Sequence, residues 1–74
     1  MAWRVRRITG GRRLTEDLAL ESTRIIEYEV DNPNNADRPF GPFIVEVPHT
    51  LSEQQMRERV EEDARKMTGL AVGG

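Results

Sequence analysis

"TRIIEYEVD", residues 23–31, decides the fold because its second half alternates between apolar and acidic side chains. The apolar members are Ile26, Tyr28 and Val30, and the acidic members are Glu27, Glu29 and Asp31. Successive side chains of a β-strand point to opposite faces of the sheet. The stretch therefore predicts a strand with one buried face and one solvated face.

"FIVEV", residues 43–47, predicts a second strand with the same alternation. Pro48 ends it, because proline has no amide hydrogen to donate to a neighbouring strand. Between these strands, residues 31–42 are dense in Asp, Asn, Pro and Gly, so we expect a turn-rich loop there. Loops of this length are often mobile or functional.

"AWRVRRIT", residues 2–9, predicts an N-terminal strand rich in β-branched and aromatic residues. Its alternation puts Trp3 and Val5 on one face. The opposite face then holds Arg4, Arg6 and Ile8. We expect Gly10-Gly11 to end this strand in a tight turn. The spacing within Leu14–Glu21 fits both a helix and an extended chain, so helix, strand and loop all stay open there.

A C-terminal helix is predicted over residues 52–67. Ser52 can accept a hydrogen bond from the first turn while Gln55, three residues later, reaches back to form a capping box. Thr50 with Glu53 is a rival box, but it would put polar residues where the hydrophobic staple belongs. The apolar residues recur every three or four positions and form one stripe, namely Met56, Val60, Ala64 and Met67.

"GLAVGG", residues 69–74, raises the question of whether the chain ends in a reactive glycine tail. Gly69 is a natural left-handed stop for the helix, and residues 70–74 would then be a frayed end. Ubiquitin-like modifiers and sulfur carriers also end in Gly-Gly, but their fold places strands after its helix. This chain has too few residues left for such strands, so the modifier is the weakest of three hypotheses.

Together these elements predict one small α+β domain over residues 1–74, in which a helix lies on one face of a two- to three-stranded antiparallel sheet in the order β-β-β-α. A chain of this size buries only about 60% of its unfolded surface, so its core is thin. It has no cysteine, which excludes disulfides and thiolate metal sites. Such a domain is either marginally stable or completed by a partner, including a second copy of itself.

The charge is distributed unevenly along the chain, although the net charge is only −2. Residues 1–13 carry five arginines and no acidic residue, whereas residues 14–74 carry all thirteen acidic residues. Arg12 and Arg13, with Trp3 nearby, could hold phosphates and stack a base. Alternatively, the arginines of the first strand pair across the sheet with acidic residues of "IEYEVD", which is the interpretation we favour.

Phe40 stands between Pro39 and Gly41 in the turn-rich loop. An aromatic side chain on a stiff loop loses little entropy on docking, so Phe40, with the adjacent Arg38, is a candidate contact for a partner. The alternative is that Phe40 covers the edge of a core that is short of aromatic residues. The loop also resembles a calcium loop in composition, but it lacks the alternating ligand spacing, so we expect no metal site.

Catalytic residues are hard to find in this sequence. His49 is the only histidine, no serine lies in a nucleophile motif, and no glycine-rich phosphate loop is present. We therefore expect neither an enzyme nor a cofactor.

The favoured hypothesis is a non-enzymatic protein-interaction module. By analogy of size and charge arrangement, it would be a phage-like accessory, virion-structural or host-inhibitory protein. A nucleic-acid-binding accessory protein is the alternative, and the Gly-Gly modifier is the second alternative. The N-terminal arginines precede no apolar run, and no stretch approaches the roughly 20 apolar residues of a membrane span. We expect a cytoplasmic protein or part of an assembly such as a virion, with a protein partner and no membrane.

Overall fold

A computed structural model describes residues 2–72 and contains three strands followed by one helix. The elements are β1 (Trp3–Leu14), β2 (Leu20–Val30), β3 (Phe40–Pro48) and α1 (Glu53–Thr68). The strands form an antiparallel meander in the order β1-β2-β3. The predicted small α+β domain is thus confirmed.

The core lies between α1 and one face of the sheet, which we call the inner face. Its fully buried residues come from two strands, the helix and the C-terminal segment, namely Ile26, Tyr28, Val30, Val47, Val60, Ala64 and Val72. The Tyr28 ring is at the centre, edge-on to Trp3 at 6.4 Å and tilted against Phe43 at 5.6 Å between ring centroids. Aromatic packing therefore compensates for the small number of core residues.

The C-terminal segment packs on this core, in contrast to the predicted frayed tail over residues 70–74. Val72 is only 3% exposed, and Leu70 packs beside the core cluster. Arg65 fixes the segment by donating a hydrogen bond from Nη1 to the Val72 carbonyl oxygen at 2.9 Å. The prediction was wrong up to Val72, because an apolar pair after the helix stop folds back on the thin core. Gly73 and Gly74 lie outside the described residues.

The alternation predicted for the first strand is wrong beyond Val5, because β1 contains a bulge. The register passes from Val5 opposite Tyr28 to Arg7 opposite Glu27, so that Arg6 is the extra residue. A bulge of this kind moves the following residues to the other face. Ile8 consequently lies opposite Ile26 on the inner face and not with the arginines.

Gly10-Gly11 does not end β1, and the tight turn predicted there was wrong. Both glycines pair with residues of β2 within a continuous strand. At Gly11, a Cβ atom would come within 2.7 Å of Thr23 Oγ1 and 2.8 Å of Ile25 Cδ1, so a side chain here would displace those of Thr23 or Ile25. The glycine thus makes room for two side chains of β2 that lie over β1.

The hairpin turn lies within the stretch that the sequence left open. Leu14 ends β1, Leu20 begins β2, and a short loop joins them. The Leu18 amide donates to the Thr15 carbonyl at 3.0 Å, and the Thr15 amide donates to the Ala19 carbonyl at 2.9 Å. This matches the three-residue hairpin loop in which a type I turn is followed by a left-handed residue.

The ends of α1 follow the sequence prediction. Ser52 accepts a hydrogen bond from the Gln55 amide at 3.2 Å, and the Gln55 side chain accepts one from the Ser52 amide at 2.9 Å. This confirms the capping box and excludes the rival box for this helix start. At the other end Gly69 has φ 71° and its amide donates to the Arg65 carbonyl, which is the left-handed stop that was predicted.

The predicted apolar stripe of α1 holds for three of its four members. Val60 and Ala64 are buried, and Met56 packs beside them. Met67, in contrast, is 56% exposed. Asp63 takes part in the contact with the sheet because its Oδ2 accepts a hydrogen bond from the Tyr28 hydroxyl.

Candidate interaction surface

A two-stranded arm projects beyond the core. The pairing of β2 with β3 stops at Thr23 opposite Pro48, so residues 12–22 form a hairpin that only β1 and β2 build. We call these residues the arm. At about 3.3 Å per residue, the 12-residue β1 spans about 40 Å, whereas the 16-residue α1 spans about 24 Å. The helix is therefore too short to cover the arm, and the molecule measures 45 × 20 × 19 Å.

Three exposed leucines lie at the end of this arm, which we call the arm tip (Leu14–Leu20). Leu14 is 59% exposed, Leu18 77% and Leu20 70%. Leu14 and Leu20 are cross-strand partners. They lie on the inner face of the sheet, beyond the part of that face that packs against α1. A single exposed leucine is ordinary, but a cluster at the end of a projection is typical of a contact site.

Leu18 has a backbone conformation that leucine rarely adopts. Its φ is +64°, in the left-handed region where glycine, asparagine and aspartate are favoured. The cost for another L-residue is roughly 1–2 kcal/mol. An exposed, strained apolar residue adds nothing to the core, so its presence is more easily explained by a contact outside the chain.

A groove lies between β1 and the N-terminal half of α1. The helix packs mainly on β3 and β2, which leaves the inner side of β1 half open. The groove has a volume of about 290 Å³ and its apolar lining comes from both walls, namely Trp3, Val5, Ile8, Ile26, Met56 and Val60. Arg4, Glu53 and Arg57 supply its charged rim.

Trp3 forms one wall of this groove and is held in place from three sides. Its indole Nε1 donates to Glu61 Oε2 at 3.0 Å, and its ring meets Tyr28 edge-on. The Arg57 guanidinium lies 5.4 Å from the ring centroid. This predicted partner-binding residue is therefore half-buried in the fold, and its ring already has partners within the chain.

The outer face of the sheet, away from α1, is a lattice of cross-strand ion pairs. Arg4 bonds to Glu29 at 2.6 Å and to Asp31 at 2.7 Å. These bonds raise the pKa of Arg4 above its usual value. The remaining pairs are those of Arg6 and Arg7 with Glu27 and of Arg13 with Glu21. The favoured interpretation, pairing with the acidic residues of "IEYEVD", agrees with the contacts of Arg4, Arg6 and Arg7, whereas Arg13 pairs with Glu21 outside that segment.

Arg12 differs from the other N-terminal arginines. It lies opposite Ser22 and is exposed, and it has no ion pair among the described residues. Arg13 is tied to Glu21 at 3.4 Å on the opposite face. The two candidates that were grouped from the sequence therefore point to different sides of the arm.

Phe40 and Arg38 are also separated by the fold. Phe40 begins β3 opposite Val30, is half-buried and packs beside the core. Arg38 is exposed in the loop, where its carbonyl accepts a hydrogen bond from Asn32 Nδ2 at 3.2 Å. The alternative in which Phe40 covers the core edge is the one that agrees with this packing.

The two edges of the sheet are poorly suited to strand addition. The free edge of β1 carries the bulge and the arginines, and the free edge of β3 carries Pro42 and Pro48. Bulges, charges and prolines on edge strands are the usual protection against edge-to-edge pairing. Contact through the arm tip or the groove is therefore better supported than contact through a sheet edge.

Candidates for chemistry are few in the described part of the chain. Residues 2–72 contain no cluster of His, Asp and Glu that could hold a metal ion. His49 is engaged by the backbone, with Nδ1 2.9 Å from the Ser22 carbonyl oxygen. The one described helix, α1, is neither long nor apolar enough to cross a membrane.

Comparisons of the chain with protein-family models, with curated proteins and with solved structures gave no match. Function is therefore inferred from the geometry of this chain alone.

The arm tip was missed as a site by sequence reasoning. Leu14, Leu18 and Leu20 were noted only as residues of ambiguous spacing. Their exposure depends on where β3 and α1 stop, which is set by residues far away in the chain. A local signal did exist, because an apolar cluster separated by Glu16 and Asp17 is unusual for a hairpin turn.

Proposed function

We propose that this protein is a non-enzymatic interaction module and that the arm tip is its contact site for a protein partner. The observation that carries the proposal is Leu18, which combines 77% exposure with a left-handed backbone. A hairpin loop would be more stable with Gly or Asn at this position. Leucine there makes sense if its side chain is buried in a complex.

The neighbours of Leu18 support the same proposal. Leu14 and Leu20 add apolar surface beside it, and the loop hydrogen bonds between Thr15, Leu18 and Ala19 hold the tip in one shape. A preordered apolar tip loses little conformational entropy on binding. Contact sites of this kind provide most of the affinity through a few central residues.

The kind of protein to which this module belongs is proposed by analogy with a class of small proteins. The small size and the uneven charge arrangement suit a phage-like accessory, virion-structural or host-inhibitory protein by analogy alone. We propose this class as the setting of the module. It would place the protein in an assembly that is built in a cytoplasm.

The test is affinity capture from the native host with the wild-type protein and Leu18→Asn in parallel. Asn keeps the left-handed turn and removes the apolar contact, so the partner should be lost while the fold is retained. Met67→Gln is the matched control, since Met67 is another exposed apolar residue away from the arm. It should capture the partner as well as the wild type does.

Repeating the capture with nuclease and at high salt separates protein from nucleic acid. Recovery that survives both treatments and depends on Leu18 supports the proposal. Recovery that disappears with nuclease or salt, and that depends on Arg12 instead of Leu18, would replace it with nucleic-acid binding. Equal capture by Leu18→Asn and the wild type would remove the arm tip as the contact site.

A further inference from the structure

We infer that the partner of the arm tip is a second copy of this chain, whose groove between β1 and α1 receives the tip. This inference rests on the proposed function of the tip and adds the identity of its partner. It starts from the observation that one molecule carries both an exposed apolar projection and an open apolar groove.

The two surfaces match in chemical character. The tip offers Leu14, Leu18 and Leu20, all more than half exposed. The groove offers Val5 and Ile8, which are exposed on the inner side of β1, together with the half-buried Met56. A groove of about 290 Å³ lies just below the range of about 300–1,000 Å³ that is typical of small-molecule sites. It therefore suits a few inserted side chains.

The charges around the two surfaces are complementary. The tip carries Glu16 and Asp17 and no basic residue between Leu14 and Leu20. Neither acid has an ion pair among the described residues. At the groove, Arg57 stands on the rim, and Arg24 lies beside it with Nη1 3.9 Å from Met56 Sδ.

Other charges at the groove limit this complementarity to individual contacts. Arg4 is already neutralised by Glu29 and Asp31. Glu53, and Glu61 on Trp3, offset the two remaining arginines in net charge, so the acids of the tip are attracted locally, by the guanidinium groups of Arg57 and Arg24. Complementary charge of this kind steers encounter and fixes the orientation of docking.

Docking would also complete the core. Because α1 leaves β1 half open, Val5 and Ile8 extend the inner face but are only partly covered, at 42% and 51% exposure. A leucine from a second copy would bury them against Trp3 and Met56. In a domain that buries only about 60% of its unfolded surface, this supplies apolar burial that the chain cannot provide for itself.

The positions of the two surfaces allow two types of assembly. The tip is at the far end of the arm and the groove is beside the core, so each contact joins two different patches. If each tip enters the other chain's groove, the contact closes a two-fold dimer, whereas a single contact per pair of chains builds a ring or a filament.

The experiment uses two single variants of the full chain. Leu18→Asn removes the tip contact but leaves the groove intact, and Arg57→Glu repels the acidic tip but leaves the tip intact. Sedimentation equilibrium is measured from micromolar to millimolar concentration for each variant and for their mixture. Ile8→Glu is a second groove variant, and near-UV circular dichroism of Trp3 verifies that each protein is folded.

The wild type should self-associate as concentration rises, to dimer mass if the exchange is reciprocal and beyond it if each pair of chains makes one contact. Each variant should associate about tenfold to hundredfold more weakly. The equimolar mixture should recover a one-to-one complex, because one intact tip meets one intact groove. Met67→Gln should behave as the wild type. High salt should weaken all of these associations.

Two outcomes would overturn the inference. If both variants are monomeric and their mixture does not recombine, the contact is not made between a tip and a groove. If the wild type stays at its monomer mass of 8.5 kDa throughout, the partner is not a second copy. In that case Leu18-dependent capture of another protein would still support the proposed function of the arm tip. If no protein is captured through Leu18 either, the proposed function and the present inference are both wrong.

Discussion

Tyr28 shows how much of this fold depends on one side chain. It is fully buried between Trp3 and Phe43, and its hydroxyl donates to Asp63 on α1. Burial, followed by the hydrogen bond and the negative charge of Asp63, raises the pKa of Tyr28 well above its usual value of about 10. The ring fixes the layers together, and the hydroxyl satisfies a half-buried carboxylate.

Tyr28→Phe should lower the free energy of unfolding by about 1–3 kcal/mol at neutral pH, because Asp63 loses its donor. The wild type should also lose stability as pH rises above about 10, where the unfolded tyrosine ionises and the folded one keeps its proton. Urea unfolding between pH 7 and pH 11 measures both effects. If Tyr28→Phe shows the same alkaline decline as the wild type, another group causes it.

Leu18→Asn should raise the free energy of unfolding by about 1 kcal/mol, because asparagine tolerates the left-handed conformation better than leucine does. Leu20→Asn is the matched control, since Leu20 is similarly exposed but lies in β2. It should give no gain. Thermal unfolding of the three proteins at low concentration measures the difference. A loss of stability in Leu18→Asn equal to that in Leu20→Asn would contradict the strain at Leu18.

At the scale of elements, the local sequence predicted the features that depend only on neighbouring residues, such as strand alternation and helix capping. The alternation of β2 and the capping box at Ser52 were both confirmed. The bulge at Arg6 was not predictable from spacing, because a single extra residue reverses the facing of Ile8 without changing the composition. Gly10-Gly11 was misleading, since a close approach to Thr23 selects glycine as effectively as a turn does.

Ser52→Ala should destabilise the protein by about 1 kcal/mol, since it leaves an amide of the first helical turn without its acceptor. For a domain of this size, the melting temperature should fall by roughly 4–8 °C. Thr50→Ala is the control, because Thr50 lies outside the observed capping box. Calorimetry of both variants is the measurement. Equal effects of the two substitutions would show that the cap is not the cause.

Amides of the arm should exchange with solvent faster than those of the core strands, because only two strands and no helix protect them. The comparison is clearest within β2, between Leu20 in the arm and Ile26 in the core. Hydrogen exchange followed by NMR at low concentration resolves the two regions. Uniform protection along β2 would contradict the description of the arm as a separate projection.

At the scale of the whole molecule, the helix covers only the part of the sheet that it can reach. The part of the sheet that α1 does not cover forms two features. One is the arm with its apolar tip, and the other is the apolar groove beside the core. Neither surface was predictable from the sequence, because each depends on the relative lengths of elements that are distant in the chain. From its short length and small apolar content, the sequence predicted a domain that is either marginally stable or completed by a partner, and this stays a prediction.

The most direct measurement observes the docked leucine itself. Arg57→Glu protein labelled with ¹³C in its leucine methyl groups is mixed with unlabelled Leu18→Asn protein, and isotope-filtered NMR detects contacts between the two chains. We predict intermolecular contacts from the Leu18 methyls of the labelled chain to the Trp3 ring and the Met56 methyl of the other. Intermolecular contacts confined to other leucines, or no intermolecular contacts at all, would contradict the docking of the arm tip in the groove.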